Sequence, residues 1–526
     1  MMSILRTLGS DKPSPARLLL ALLLFIAVSA ALAAPALAQA DAPPTGVDAF
    51  FIPIVNLFAQ ILFFPIGGPQ GFPVIVLWLI LAALFFTLRL GFVNIRGFKH
   101  AIAVLRGHFD DPHDTGEVSH FQALATALSG TVGLGNIAGV AVAMQLGGPG
   151  AMFWLTVAGF LGMTSKFVEC TLAVKYRHVL ADGTVLGGPM YYLTQGFRDR
   201  GLRPVGQGLA VLFCLLGLAA SLGGANMFQA NQAYAALAQL IPGLPNWLFG
   251  LILAALAGVV IIGGIRRIGA VAEKLVPTMA AIYVGACLIV LLSHMGQIPT
   301  AIAAIVHDAF APTAVAGGLV GVMVQGIRRS SFSNEAGIGS AAIAHAAART
   351  DEPIREGMIA LLEPFIDTIV ICNMTAIVIV LTGTYQETGL QGVELTAQAF
   401  STTVIGWFPV ILSIAVCLFA FSTIISWSYY GIQTWAYLFG RNTTIVYKVI
   451  YIVCVFLGSL ASLSVIIDFS DLMLLGMAFP NLLGCYILSN EVAADLKDYW
   501  QRLNTGQMPT YAQELATVSS DRTTTE

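Results

Sequence analysis

The chain has 526 residues, 57% of them hydrophobic and 10% charged, with a net charge of −3 and a mean hydropathy of +0.82. A water-soluble domain carries about 25% charged residues, so this composition excludes one and points to an all-α polytopic membrane protein with the lipid bilayer as its solvent. No basic stripe with interleaved aromatics runs along the chain, which excludes a nucleic-acid partner.

Arg17 precedes an apolar run from Leu18 to Ala34, and Ala38-Gln39-Ala40 then offers small residues just before Asp41. Residues 1–40 therefore read as a cleavable secretory signal peptide, with an uncleaved signal anchor as the alternative. On either reading the chain from Asp41 starts outside the cytoplasm, and 41–71 is expected to be a periplasmic segment. Apolar runs of spanning length follow at about 72–91, 119–146, 150–172, 207–237, 247–264, 275–295, 313–345, 357–384, 404–430, 445–465 and 467–489, which predicts 11 transmembrane helices. After the leading helix, residues 92–118 form a cytoplasmic amphipathic segment in which 95–107 alternates basic and apolar faces.

The loops test the orientation, because cytoplasmic loops collect Lys and Arg. The expected inner loops hold residues such as Lys99, Arg177, Arg266, Arg355 and Arg441, whereas the outer segments 41–71, 238–246, 296–312 and 385–403 contain neither Lys nor Arg. The protein is thus expected in a bacterial inner membrane, its mature N-terminus periplasmic and its tail, 490–526, cytoplasmic. The last thirty or so residues are polar and are expected to be disordered.

Two of these helices are interrupted. Leu128-Ser-Gly-Thr-Val-Gly-Leu-Gly-Asn-Ile-Ala-Gly139 and the stretch Gln325–Ser340 place glycines and polar residues at bilayer depth, and they share the cores Asn136-Ile-Ala-Gly139 and Asn334-Glu-Ala-Gly337. A chain in hydrocarbon cannot leave its peptide groups unpaired, so such a break lines a protein-buried cavity. The broken helices are the second and the seventh. They open halves spanning 119–296 and 297–489, and five helices per half make a 5+5 inverted repeat behind one leading helix. Gly-interrupted helices in corresponding positions of two halves mark the site of a secondary transporter.

At the first break, Gly133 and Gly135 let the backbone unwind; freed N–H groups and a half-helix N-terminus suit a carboxylate, and freed carbonyls suit Na⁺. Helix packing through Gly135-x-x-x-Gly139 is the alternative use of these glycines. Around the second break, Arg329 and Glu335 are placed to form a gate or brace, or the arginines face headgroups. Lys166 and Glu169 read as a local ion pair, and Glu363 and Asp367, one turn apart, as a proton or cation site or a structural hydrogen-bonding pair. Ser422 and Thr423 supply hard oxygens for Na⁺, or bond to their own helix. Gln229 and Asn231 are polar amides at membrane depth, and Trp427 is placed to cap a small substrate. The cysteines show neither a CxxC metal pattern nor a disulfide framework. No hydrolase triad, zinc motif or phosphate-binding loop is present, so nothing carries an enzymatic reaction.

Several long motifs in order, Thr131-Val-Gly-Leu-Gly-Asn-Ile-Ala-Gly139, Gly147-Gly-Pro-Gly-Ala-Met-Phe-Trp154, Gly187-Gly-Pro-Met-Tyr-Tyr192, Phe332-Ser-Asn-Glu-Ala-Gly-Ile-Gly-Ser340 and Ser426-Trp-Ser-Tyr-Tyr-Gly431, resemble the alanine or glycine:cation symporter family over about residues 60–490. The resemblance implies a LeuT-like fold and Na⁺-driven uptake of alanine or glycine, with H⁺ replacing Na⁺ in some members. Carried over by position, the substrate would meet Thr131, Gly133, Leu134, Gly135 and Asn136, then Gln229, Gly326, Ser330 and Trp427. The Na⁺ would sit between backbone oxygens of Ser129 and Val132 and the hydroxyls of Ser422 and Thr423. Three positions depart from the family: Leu134 stands where threonine is common, Ser330 where glycine is usual and Ile432 where an acidic residue is usual. These bear on substrate size more than on mechanism. A monomeric symporter for a small neutral amino acid is expected; a transporter-like amino-acid sensor and an H⁺-coupled carrier of another small amino acid are the rivals.

Overall fold

The structure, a computed structural model, describes residues 47–68, 71–310, 318–387, 390, 392–401, 408–460, 464–508, 510–511 and 513. The expected signal peptide and the last part of the tail lie outside the described residues. Among the described residues the strands are two short antiparallel pairs, Pro65–Ile66 with Phe72–Pro73 and His178–Val179 with Val185–Leu186. Everything else of regular structure is helical, as a chain that must satisfy its backbone within each segment requires.

In chain order the first half contains α1 (Val47–Leu62), α2 (Val74–Arg89), α3 (Phe98–Leu105), α4 (His120–Thr131), α5 (Val140–Gly147) and α6 (Ala151–Lys175). It continues with α7 (Pro189–Arg198), α8 (Arg203–Leu222), α9 (Phe228–Leu240), α10 (Asn246–Ile262) and α11 (Gly264–Ser293). The second half contains α12 (Ile298–Phe310), α13 (Gly318–Asn334), α14 (Ala341–His345), α15 (Pro353–Ala360), α16 (Asn373–Thr382) and α17 (Val393–Ser401). It ends with α18 (Phe408–Phe439), α19 (Thr444–Gly458), α20 (Ser464–Gly476) and α21 (Ala478–Asn504). Among the described residues seven helical spans are long and apolar enough to cross a bilayer, or eight when the bent pair at the first break counts as one.

Several boundaries differ from the sequence reading. The stretch expected as a periplasmic segment carries α1, which packs on α20. The expected outer loop 296–312 carries α12, and the expected tail is helical as far as Asn504. The expected helix 313–345 is divided into α13 and α14, and the expected helix 467–489 into α20 and the much longer α21.

Among the described residues three segments are wound as π-helix, Gly135–Gly139, Gly223–Met227 and Phe365–Cys372. A π turn leaves carbonyls without their α-helical partners, and side chains take up some of them. The Thr396 hydroxyl donates to the Ile137 carbonyl at 3.0 Å, and the Asn373 amide donates to the carbonyls of Thr368 and Ile369, each at 3.2 Å. The core is formed by α6, packed against α2, α13 and α15, and by α18, packed against α4, α8, α9 and α11.

Candidate substrate cavity and cation cradle

Ser119 caps α4 through a reciprocal capping box with Gln122, and the helix then runs to Thr131 and stops. Val132 is extended, at φ −71° and ψ 99°, and α4 and the segment from Gly135 to Gly147 meet at 52°. Asn136 holds the unwound turn. Its Oδ1 accepts from the Gly133 N–H at 2.8 Å, and its Nδ2 donates to Asp367 Oδ1 at 2.6 Å and to Ser333 Oγ at 3.1 Å. Ser333 in turn donates to Asp367 Oδ2 at 2.6 Å. One carboxylate thereby ties the first break to α13 just before the second. The two carboxylates expected on one face part company at the π turn: Glu363 faces Lys166 at 2.9 Å, while Asp367 serves Asn136, Ser333 and Thr368.

The second break lies at Glu335–Ser340, at the far end of the stretch expected to be irregular. Gly337 and Gly339 have φ of +85° and +91°, and Glu335 itself has φ +53°, a conformation rare outside glycine. Asn334 matches Asn136 in type of role: its Oδ1 accepts from the Ala336 N–H at 2.9 Å, and its Nδ2 donates to Ser330 and Thr368. The expected Arg329–Glu335 brace does not form. The Glu335 carboxylate accepts from the Ser340 hydroxyl, while the Arg329 guanidinium stacks on Phe332 with its carbon 5.7 Å from the ring centroid.

A cavity of about 610 Å³ opens along the first break. Of the residues expected at the substrate site, Thr131, Gly133, Leu134, Gly135, Gln229 and Trp427 line it, and Thr423 joins them from the expected cation set. Gln229 donates its Nε2 to the Gly224 carbonyl at 3.1 Å, and its Oε1 has no protein partner among the described residues. Trp427 packs edge-on against Tyr430 with centroids 5.2 Å apart. A side chain at Gly133 would put its first carbon 3.0 Å from Thr423 Oγ1, so glycine there lets the unwound turn approach α18. Asn136 is fully buried and acts one layer behind the cavity wall.

Gly326 and Ser330 do not line this cavity. A Cβ at Gly326 would lie 2.3 Å from the Ala151 carbonyl, so this glycine serves the crossing of α13 and α6, and Ser330 faces a small cleft beside α2 and α6. At Gly139 an added Cβ would meet nothing within 4 Å, which leaves that glycine without the packing role its spacing from Gly135 suggests.

The cation residues converge on one carbonyl. The hydroxyls of Ser422 and Thr423 each lie 3.2 Å from the Ser129 oxygen, and the Ser129 hydroxyl donates back to the Ser422 carbonyl at 2.8 Å. Val132 sits one turn further, at the end of the same helix, and is buried. Hard oxygens gathered at a helix end suit a small monovalent cation.

The sequence pattern of the sodium:alanine symporter family matches residues 62–513. The chain belongs to this family. Among its relatives are the sodium/alanine symporter AgcS of Methanococcus maripaludis, 40% identical over 431 residues covering 81% of this chain and 94% of the relative, and the probable sodium/glutamine symporter GlnT of Bacillus subtilis, 35% identical over 444 residues covering 84% and 91%. Among solved structures, MhsT in complex with L-phenylalanine matches 71% of this chain and 89% of its own at a TM-score of 0.49 and 14% identity. The protein is accordingly an amino-acid transporter of the sodium:alanine symporter family. In this symporter the cavity is also lined by Asp468, Asp471 and Glu394, which the sequence reading missed. Two carboxylates three residues apart near a helix start read as solvated residues, and only the fold brings them to the same cavity as Arg329, with Asp471 beside its guanidinium.

Proposed function

We propose that this family member is a secondary active symporter that imports a small neutral amino acid, alanine or glycine, coupled to Na⁺ entry by alternating access. The observation that carries the reading is that Thr131, Gly133, Leu134 and Gly135 of the unwound turn, Gln229 with its unpartnered Oε1, and Thr423 line one cavity, while the Ser129 carbonyl and the Ser422 hydroxyl lie buried beside Thr423. The turn offers backbone donors to the substrate carboxylate, Gln229 accepts from its ammonium, Trp427 limits the side chain, and the Ser422 and Thr423 hydroxyls rotate their O–H bonds away from the Ser129 carbonyl so that Na⁺ binds the three oxygens. Gly326 and Ser330 then act on the site through the packing of α13.

The same reading takes the architecture as 11 spans, one leading helix and a LeuT-like 5+5 inverted repeat in the bacterial inner membrane, with the Lys- and Arg-bearing loops inside. Gln239, Glu394 and Ala397, from segments read as outer, line the cavity and support its opening toward the periplasm. The protein acts as a monomer on this view, after removal of its signal peptide.

The test is uptake of labelled alanine and glycine into liposomes holding the purified protein, with an inward Na⁺ gradient, with K⁺ in its place and with a proton gradient alone. Uptake that needs Na⁺ is the expected result; uptake with protons alone would give the coupling to H⁺, and binding without uptake would favour a sensor. One observation favours a second substrate reading. A cavity of about 610 Å³ bordered by Arg329, Asp471 and Glu394 falls in the range of about 300–1,000 Å³ that holds drug-sized ligands. A longer polar amino acid such as glutamine fits those walls, and competition of labelled alanine uptake by glutamine separates the two.

A further inference from the structure

Away from the cavity, buried ionisable side chains form a continuous row. His120, at the start of α4, bonds through Nδ1 to one oxygen of Glu356, and His345, at the end of α14, bonds through Nδ1 to the other at 2.5 Å. His345 Nε2 then faces Glu363 Oε2 at 3.8 Å, Glu363 Oε1 bonds Lys166 Nζ at 2.9 Å, and Lys166 lies 4.0 Å from Glu169. At the other end, His120 Nε2 is 3.7 Å from Asp110, whose side chain is 41% exposed. Apart from Asp110 these side chains are at most 2% exposed.

The geometry fixes where the protons go. A carboxylate only accepts, so the two oxygens of Glu356 require a hydrogen on each Nδ1. A neutral imidazole would then aim its Nε2 lone pair at Glu363, and among the described residues neither His345 Nε2 nor Glu363 Oε2 has a hydrogen-bond partner. A second proton on His345 turns that opposition of lone pairs into an ion pair. Buried charge is tolerated only when balanced. Lys166, His120 and His345 balance Glu169, Glu356 and Glu363 only when both imidazoles are protonated. No three acidic, histidine or cysteine side chains among the described residues converge as metal ligands, so the ligand this row suits is the proton.

Further charged and titratable groups border the row. Arg355 and Arg349 neighbour the Asp110 end of the row. Arg177 neighbours Glu356, and the Cys170 thiol lies among the α6 charges. Tyr430 faces Glu363 and Glu335, and Glu335, which borders the cavity, acts on Lys166.

His120 belongs to the first broken helix, His345 to the segment after the second break, and both are fastened to Glu356 beside α6. We propose that His120 and His345, bridged by Glu356, form a two-proton site that locks the inner end of the transport path, closed when both imidazoles are protonated and released when they lose protons to an alkaline cytoplasm. The proposal rests on the symporter reading for the path and on the Lys- and Arg-bearing loops for the inner side. Parting α4 from α14 and α15 separates His120 from Glu356 and admits water to the His345 side of the row, so proton loss and opening favour one another.

Hydrogen exchange of the purified full-length protein, measured by mass spectrometry at about pH 6.5 and about pH 8.5 and corrected for intrinsic exchange, tests the lock without substrate. Peptides covering 117–122 and 341–357 should lose about tenfold protection or more at the higher pH, because each released proton shifts the equilibrium by about tenfold per pH unit, while α11 stays unchanged. His345→Gln should remove the step; if that variant does not accumulate, the wild-type comparison decides. In liposomes with fixed outer pH and a Na⁺ gradient, raising the internal pH over the same range should increase alanine uptake several-fold in wild type. Equal protection at both pH values, or uptake indifferent to internal pH, overturns the lock and leaves symport standing. An exchange step with no alanine movement under any gradient upholds the lock and removes the symport reading.

Discussion

Asn136 joins the unwound turn to Asp367 by two bonds, 2.6 Å to the carboxylate and 3.1 Å to the carbonyl, and to the Gly133 N–H by a third at 2.8 Å. A double-mutant cycle of Asn136→Ala and Asp367→Ala isolates the first link, because the Gly133 bond belongs to Asn136 alone. Side-chain hydrogen bonds within membranes are worth about 0.6 kcal/mol on average and about 1.7 at most, since the unfolded chain in the bilayer also finds partners. Here the acceptor is a carboxylate and the pair is fully buried, so a coupling near the upper end, about 1.5 kcal/mol, is expected. The single Asn136→Ala variant loses more, about 2–4 kcal/mol, because a buried N–H at Gly133 is orphaned as well. Denaturant titration in mixed micelles measures the cycle, with substrate affinity of each variant as a second readout. Effects that add within about 0.5 kcal/mol would show that Asp367 and Asn136 act independently and that the two breaks are not tied through them.

Gln229→Ala should abolish alanine uptake while leaving the amount of protein in the membrane unchanged, measured by transport and by immunoblot of the same vesicles, because Gln229 lines the cavity and its Oε1 has no protein partner among the described residues. Thr423→Ala and Ser422→Ala should each raise the Na⁺ concentration for half-maximal uptake by about tenfold or more, the equivalent of about 1.4 kcal/mol, with little change in the alanine dependence at saturating Na⁺. Gly326→Ala should lower stability by about 1–3 kcal/mol, because its Cβ would press on the Ala151 carbonyl. Gly139→Ala, whose Cβ meets nothing within 4 Å, should melt within a degree or two of wild type.

Both breaks were legible because glycine and asparagine at bilayer depth have few other uses, and Ser422 and Thr423, singled out by their adjacent hydroxyls, lie beside the Ser129 carbonyl that the resemblance names. The row from Asp110 to Lys166 was not. Its members lie 236 residues apart at the His120–Glu356 link, and each alone reads as an ordinary polar residue near an inner loop. Sequence spacing revealed only Lys166 with Glu169, at 4.0 Å a weaker contact than Lys166 with Glu363 at 2.9 Å. Glu363 and Asp367 misled for a related reason: four residues apart predicts a shared face, and the π turn between them turns that face away. Gly326 and Ser330 carried a substrate role by position, yet helix crossing with α6 decides where they point.

Among the described residues π turns occur at Gly135–Gly139, Gly223–Met227 and Phe365–Cys372, and the first two contribute residues to the cavity wall. Each holds one residue more than the α turn it replaces, and a single residue rotates every side chain beyond it by about 100°. Asn136, Gln229 and Asp367 are therefore aimed partly by the number of residues that precede them along their helices. The direction of these side chains is thus set by chain length at the π turns as well as by side-chain identity. Loss of one residue there would re-aim an entire half-helix while leaving its composition almost untouched.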